Sequence, residues 1–275
     1  MRYIRLLGAF IKASFQSETS YRFNFTANLL KTVLNIVGSI GGLAVVFYNS
    51  GAINGWGYAE LAALLGVYLL VQGLKDLVIG PGLESLSGLS GELWTGQFDY
   101  TLLKPVPTQF YISFRKWSLW SLVDIAFAAG IIIVSASGVI PPETGIAPMN
   151  GAYLGWTGDI FIFIAALLVS LLLVYSVLLI LASAAFWYLG TPLMWIFDSL
   201  IQTGRYPVGI YPGFLRIVLT WVIPVGFIIT VPAQALSGGL DILTLSGGTG
   251  LAVLMFLLAA VFFRSSLKKY SSASS

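Results

Sequence analysis

Apart from its tyrosines, the chain has only carboxylates and basic side chains with which to do proton chemistry, because its 275 residues include no Cys and no His. That removes thiol nucleophiles, disulfides, the usual zinc ligands and imidazole relays together. The carboxylates are not paired as catalysis would need. Asp124 is the one charged residue of the apolar run from Trp117 to Gly138, and the neutral polar groups within other runs include Asn35, Gln72, Ser170 and Ser176. Glu84, Glu92 and Asp99 gather instead in the polar stretch 80–111. The glycines between Gly80 and Gly91 are followed by no Lys-Ser/Thr pair, so they form no phosphate-cradling loop. No catalytic residue, metal ligand or cofactor-binding residue is therefore assigned.

The elements that hold these residues are set by composition. Hydrophobic residues make up 57% of the chain and charged residues 9%, too little polar surface to coat a water-soluble globule. Apolar runs lie near Ala27–Tyr48, Tyr58–Ile79, Trp117–Gly138, Gly158–Ala185, Gly213–Ala235 and Gly247–Phe263. A helix needs about 20 apolar residues to cross the hydrocarbon core, so six helical spans in one transmembrane domain, 1–275, are expected. The runs are continuous, unlike the short alternating strands of a barrel, and the fold class is all-α polytopic membrane protein.

All 14 Lys and Arg residues fall on one side of this path, and the alternate loops 49–57, 139–157 and 236–246 hold none. Basic residues mark the cytoplasmic side, so both termini are expected in the cytoplasm. The same residues account for the formal charge of +3 as anchors to anionic membrane lipids, with no call for nucleic acid. The first span follows a polar segment without a small-residue cleavage site, and is expected to be retained. Within residues 1–24, Arg2, Arg5, Ala9, Lys12 and Gln16 line one helical face and Tyr3, Ile4, Leu7, Phe10 and Ile11 the rest. That pattern predicts an amphipathic helix at the inner interface.

In the loop 80–111, the spacing of Leu83, Leu86, Leu89 and Leu93 predicts one short helix and Phe98, Leu102 and Leu103 a second, ending before Pro105. Pro105 and Pro107 stiffen the way out. Asp124, eight residues beyond Lys116, is expected ~12 Å into the third span at 1.5 Å per helical residue. It should face protein or water: the translocation path, a subunit seam, or a neighbouring helix. Pro224 and Pro232 predict a kink in the fifth span or an early end near Thr230.

The stretch GQFDYTLLKP, Gly96 to Pro105, resembles the loop between spans two and three in type-2 ATP-binding-cassette (ABC) exporter permeases, in the bacterial branch with Gly-x-hydrophobic-Asp-x-x-Leu-Leu-Lys/Arg-Pro. Phe186-Trp187, Tyr206-Pro207, Ile210-Tyr211-Pro212, Ile223-Pro224, Pro232 and the tail from Leu267 to Ser275 extend the resemblance in order. It implies a permease of the bacterial cytoplasmic membrane that binds no cofactor itself. Two copies of a P-loop ATPase would carry ATP and Mg, and a second six-span permease, identical or related, would complete the path. It also implies that the loop is the coupling element, with Glu84, Glu92, Trp94, Asp99, Lys104 and Pro105 as ATPase contacts. The N-terminal helix would be the connecting helix, and residues 232–245 an outer re-entrant segment that helps form the gate. Asn35, Gln72 and Asp124 are the candidates for the translocation path or subunit seam. Lipid, glycolipid, glycan and drug substrates remain open, and an ATP-independent carrier or channel is the alternative.

Overall fold

The computed structural model describes residues 2–19, 32–42, 56–137, 158–236 and 240–270, together with residues 30 and 45. Among these the regular structure is helical. In chain order the helices are α1 (Arg2–Thr19), α2 (Thr32–Gly42), α3 (Tyr58–Glu84), α4 (Glu92–Thr95), α5 (Phe98–Leu102), α6 (Thr108–Phe114), α7 (Ser121–Ala136), α8 (Gly158–Ala184), α9 (Met194–Ile201), α10 (Gly213–Val222), α11 (Gly226–Leu236) and α12 (Ile242–Leu267). Short 3-10 turns, Gln202–Arg205 and Val208–Ile210, join α9 to α10.

Three of these helices, α3, α8 and α12, are long and apolar enough to cross a membrane, and α10 with α11 makes a fourth if the bent pair counts as one span. The apolar helices α2 and α7 are shorter than that measure. Three to four spans are thus seen among the described residues, where the sequence predicts six. The first predicted span is described only in part, and α7 begins four residues after the predicted Trp117 start.

Helix α3 is the centre of the fold. Its residues Leu61, Leu64, Val67, Tyr68 and Val71 are almost wholly buried. Two glycines bring α7 against it: a Cβ on Gly66 would lie 2.7 Å from Ile132 Cγ1, and one on Gly73 would lie 2.8 Å from Ile125 Cγ1. Small residues permit such backbone approach in a lipid setting, where helix association depends on close van der Waals contact. Elsewhere Leu168 on α8 and Leu254, Leu257 and Val261 on α12 are exposed, as lipid-facing or subunit-facing side chains must be.

Prolines shape three helices in the same way. π-helical stretches at Lys75–Ile79, Val218–Val222 and Gly226–Thr230 each end two residues before a proline, namely Pro81, Pro224 and Pro232. Proline has no N–H and its ring crowds the carbonyl four residues back, so the preceding turn widens and re-pairs five residues apart. The Leu77 carbonyl, which would have faced the missing N–H of Pro81, accepts the Ser118 amide at 3.1 Å. The Phe227 carbonyl accepts the Ser170 hydroxyl at 3.3 Å, tying α11 to α8. At Pro224 the chain turns by 72° between α10 and α11. The sequence-predicted re-entrant segment 232–245 divides differently: residues up to Leu236 belong to the arm that starts at Gly226, residues from Ile242 belong to α12, and 237–239 lie outside the described residues.

Candidate functional site

Two polar assemblies stand out, a compact knob between α3 and α7 and a cavity beside α3. The knob is built on a buried charge pair. The Arg115 guanidinium forms an ion pair with Glu92 and donates to Ser85 Oγ at 2.8 Å and Thr101 Oγ1 at 3.1 Å, while the Thr101 hydroxyl donates to Glu92 Oε2 at 3.2 Å. Glu92 is only 9% exposed. Three points of the loop, Ser85, Glu92 and Thr101, are thereby fastened to the segment that leads into α7. Gly96, at φ 72°, ends α4 in the left-handed conformation that glycine adopts without strain.

Below the knob, Phe98 meets Phe186 edge-on at 5.3 Å and Tyr270 at 5.0 Å. This joins the loop to the chain after α8 and to the tail after α12. Burial, and then the neighbouring Asp99 carboxylate, push the Tyr270 phenol up to about 12. A Cβ built on Gly190, at φ +78°, would lie 3.1 Å from Trp94 Cε3, so the turn after α8 runs close beside α4.

The outer side of the knob is apolar and uncovered. Leu89, Trp94, Tyr100, Leu102 and Leu103 are 44–80% exposed, Lys104 and Pro105 are exposed next to Leu103 in the chain, and Glu84 is exposed where it lines the cavity beside α3. Of the residues the sequence nominates for coupling, Trp94, Lys104, Pro105 and Glu84 lie on the surface. Asp99 is half-buried near Tyr270, and Glu92 points inward to Arg115. Glu92 is therefore part of the scaffold behind the surface. The predicted leucine helix is also replaced: Leu83 lies in the last turn of α3, and Leu86 and Leu93 turn into the core.

Helix α1 lies along the base of this assembly. Tyr3 and Phe10 meet Phe110 and Tyr111 of α6 edge-on at 5.1 and 5.6 Å. Ser14 Oγ accepts the Trp117 amide at 3.0 Å, and the Glu18 carboxylate accepts the Leu119 amide at 3.0 Å. Burial pushes the Glu18 carboxyl up, against the lowering influence of that amide. Both bonds satisfy backbone donors just ahead of α7, which the residues 117–120, outside regular helix, leave free.

The second assembly is a cavity of ≈ 520 Å³ walled by α2, α3, the start of α7 and the segment 198–205. Asn35, Gln72 and Asp124, scattered through the sequence, all line it. Asp124 sits in the first turn of α7 and accepts the Thr32 hydroxyl at 2.6 Å. The expected depth of ~12 Å at 1.5 Å per residue assumed a helix running from Lys116. The helix starts at Ser121, so the carboxylate lies at its N-terminus, where the helix dipole favours negative charge.

Across the cavity Lys75, 3% exposed, bridges Asp76 at 2.9 Å and Asp198 at 2.6 Å. Arg205 donates to Asn35 Oδ1 at 2.8 Å and lies 5.2 Å from the Tyr68 ring centre. Sequence reasoning treats Lys75, Arg115 and Arg205 only as topological anchors. The signal for more was there at Lys75, which is followed at once by Asp76 at the end of an apolar run. For Asp198 and Arg205 no local signal exists, since their partners are far away in the chain.

Among the described residues no group of His, Cys, Asp or Glu has the arrangement of a metal site. The geometry offers an exposed apolar face on the loop between α3 and α7 and a polar recess beside α3. No match was found among curated proteins or among solved structures. A family model described as ABC-2 family transporter protein matches residues 33–274, nearly the whole chain, and the protein belongs to that family of multi-pass membrane transport permeases.

Proposed function

We propose that the chain is the transmembrane permease subunit of an ATP-driven ABC exporter of the bacterial cytoplasmic membrane, with both termini in the cytoplasm. Hydrolysis is supplied by two copies of a separate P-loop ATPase, which carry ATP and Mg. A second permease completes the path, and the cargo is lipid-like, amphipathic, a glycan or a drug. The observation that carries this reading is the exposed apolar face of the knob, Leu89, Trp94, Tyr100, Leu102 and Leu103, in a loop that the distribution of Lys and Arg along the sequence assigns to the cytoplasm. Large apolar side chains exposed away from lipid mark a protein interface. Behind that face the Arg115–Glu92 pair and the Phe98–Phe186–Tyr270 contacts make a stiff connection to α7 and α12. A knob of this kind converts closure of a bound ATPase into rigid-body movement of spans.

The test is purification of the tagged chain in mild detergent, with mass spectrometry of bound proteins and an ATP-hydrolysis assay. A P-loop ATPase that remains with the wild-type chain and is lost from Trp94→Ala and Leu103→Asp supports the reading. A well-folded chain that carries no ATPase in any detergent overturns it. The buried charges around the cavity would then favour an ATP-independent carrier or channel.

A further inference from the structure

The C-terminal tail gives the exposed face of the knob a charged edge. Helix α12 has 26 residues, about 39 Å at 1.5 Å per residue, against ~30 Å of hydrocarbon. It outruns the lipid core, and the chain that leaves it reaches the knob. There Tyr270 packs edge-on against Phe98 of α5 at 5.0 Å and against Phe186 at 6.0 Å, while Phe263 meets the same Phe186 at 6.2 Å. Phe98 and Leu102 stand one helical turn apart on α5, so the tail runs beside the apolar face to which Leu102 and Leu103 belong. Lys268 and Lys269, which lead into Tyr270, are exposed, as is Lys104 directly after Leu103.

The chain does not neutralise these lysines itself. Among the described residues none of the three is in an ion pair. Of the 11 acids, Glu60, Asp159 and Asp241 sit at the far ends of α3, α8 and α12, and Glu143 falls in the loop that the distribution of Lys and Arg assigns to that same far side. Asp76, Asp198 and Glu92 are taken by Lys75 and Arg115. Glu18 accepts the Leu119 amide, and Glu84 and Asp124 line the cavity beside α3. Asp99, beside the Tyr270 phenol, is what remains at the tail, one acid against three lysines.

An apolar face with a cationic edge fits a partner surface of the inverse kind. Burial of the face supplies contact, and the edge supplies steering and register. Resting on the permease reading above, we infer that the ATPase cleft which receives the knob has an apolar floor and a rim of carboxylates, and that Lys268 and Lys269 of the tail, with Lys104, pair with that rim. The tail is then part of the docking surface and more than the end of α12.

The experiment uses the full chain in neutral detergent with the ATPase that co-purifies. A carbodiimide activates carboxylates, and a lysine amine in contact displaces the urea to form an amide, with net loss of water. Mass spectrometry should find Lys268 or Lys269 joined to an Asp or Glu of the ATPase. On the immobilised chain, Lys268→Gln/Lys269→Gln should weaken ATPase retention on the order of tenfold at low salt and flatten its decline as salt is raised. Arg216→Gln, an exposed cation at the start of α10, controls for net charge.

A bound ATPase that gives no cross-link to the tail would overturn the inference, as would retention that the double variant leaves unchanged or that Arg216→Gln weakens equally. Loss of co-purifying anionic lipid from the double variant, with the ATPase still held, would make the lysines headgroup anchors and overturn it too. In each of these cases the ATP-driven reading stands as long as Trp94→Ala and Leu103→Asp release the ATPase. A wild-type chain that never holds an ATPase removes both.

Discussion

The Arg115 guanidinium, at the approach to α7, closes on the Glu92 carboxylate inside the knob, so the loop is fixed to the segment that leads into α7 by a buried charge pair. Ser85 and Thr101 complete the ring of partners. A buried pair is strongly destabilising to break from one side, by about 3–5 kcal/mol, because the remaining charge is stranded. Arg115→Met is accordingly expected to loosen residues 85–107, detected as faster proteolysis of that loop. The double variant Arg115→Met/Glu92→Leu should recover most of the resistance. Double-variant protection no better than the single would mean that the pair does not hold the knob.

The exposed face demands the opposite behaviour. Trp94 and Leu103 are 52% and 80% exposed, so Trp94→Ala and Leu103→Asp should each alter thermal stability by no more than about 0.5 kcal/mol. ATPase retention and hydrolysis should fall sharply. Glu92→Arg would confound this test, since it sets two guanidinium groups side by side within the knob.

How far the sequence could reveal this division is clear at Glu92 and Asp124. Both are acidic residues in informative places, and composition and periodicity put them in a loop and an apolar run. The loop, the apolar helices, the amphipathic α1 and the break at Pro224 are local properties, carried by hydrophobic runs, spacing and proline chemistry. Which way Glu92 points depends on Arg115, and the surroundings of Asp124 depend on where α7 starts and on Thr32, far earlier in the chain. The gathering of Asn35, Gln72 and Asp124 with Lys75, Asp198 and Arg205 is a tertiary fact with no local pattern behind it. The π stretches were also hidden, because a proline alone does not say whether a helix ends, kinks or widens.

Lys75 is buried between Asp76 and Asp198 and thereby joins α3 to α9. Lys75→Met should leave two carboxylates facing each other without their cation, and the detergent-solubilised chain should lose several degrees of thermal stability. Lys75→Arg keeps the charge but must fit a larger planar group, so it should recover only part of the loss. If Lys75→Met unfolds at the wild-type temperature, the bridge contributes nothing to the fold.

The glycines of α3 predict a steric result. At Gly66 an added Cβ would meet Ile132 Cγ1 at 2.7 Å and the Ile132 backbone nitrogen at 3.2 Å, and at Gly73 the corresponding atoms of Ile125 lie at 2.8 and 3.3 Å. A branched side chain and a main chain cannot both retreat without moving α7, and overpacking of this kind costs about 1–3 kcal/mol. Gly66→Ala and Gly73→Ala should therefore lower stability, whereas Gly130→Ala, where no atom lies within 4 Å, should leave it unchanged or slightly higher through helix propensity. Equal effects at all three positions would refute close approach of α3 and α7.

Tyr270 yields a prediction in pH. Its phenol is raised from 10.0 to about 12 by burial and then by Asp99, so the folded tail holds the proton more tightly than the free chain does. The contribution of the neutral phenol is fully present below about pH 10 and is lost as pH rises through about 12. Removing the proton would put a phenolate beside the Asp99 carboxylate and against the rings of Phe98 and Phe186, 5.0 and 6.0 Å away. The tyrosinate absorbance of wild type minus that of Tyr270→Phe should therefore titrate near 12. In Asp99→Asn the same difference should move down, because a neutral neighbour no longer opposes the phenolate. A difference spectrum centred near 10 in both backgrounds would mean that the tail is not docked on the knob in solution.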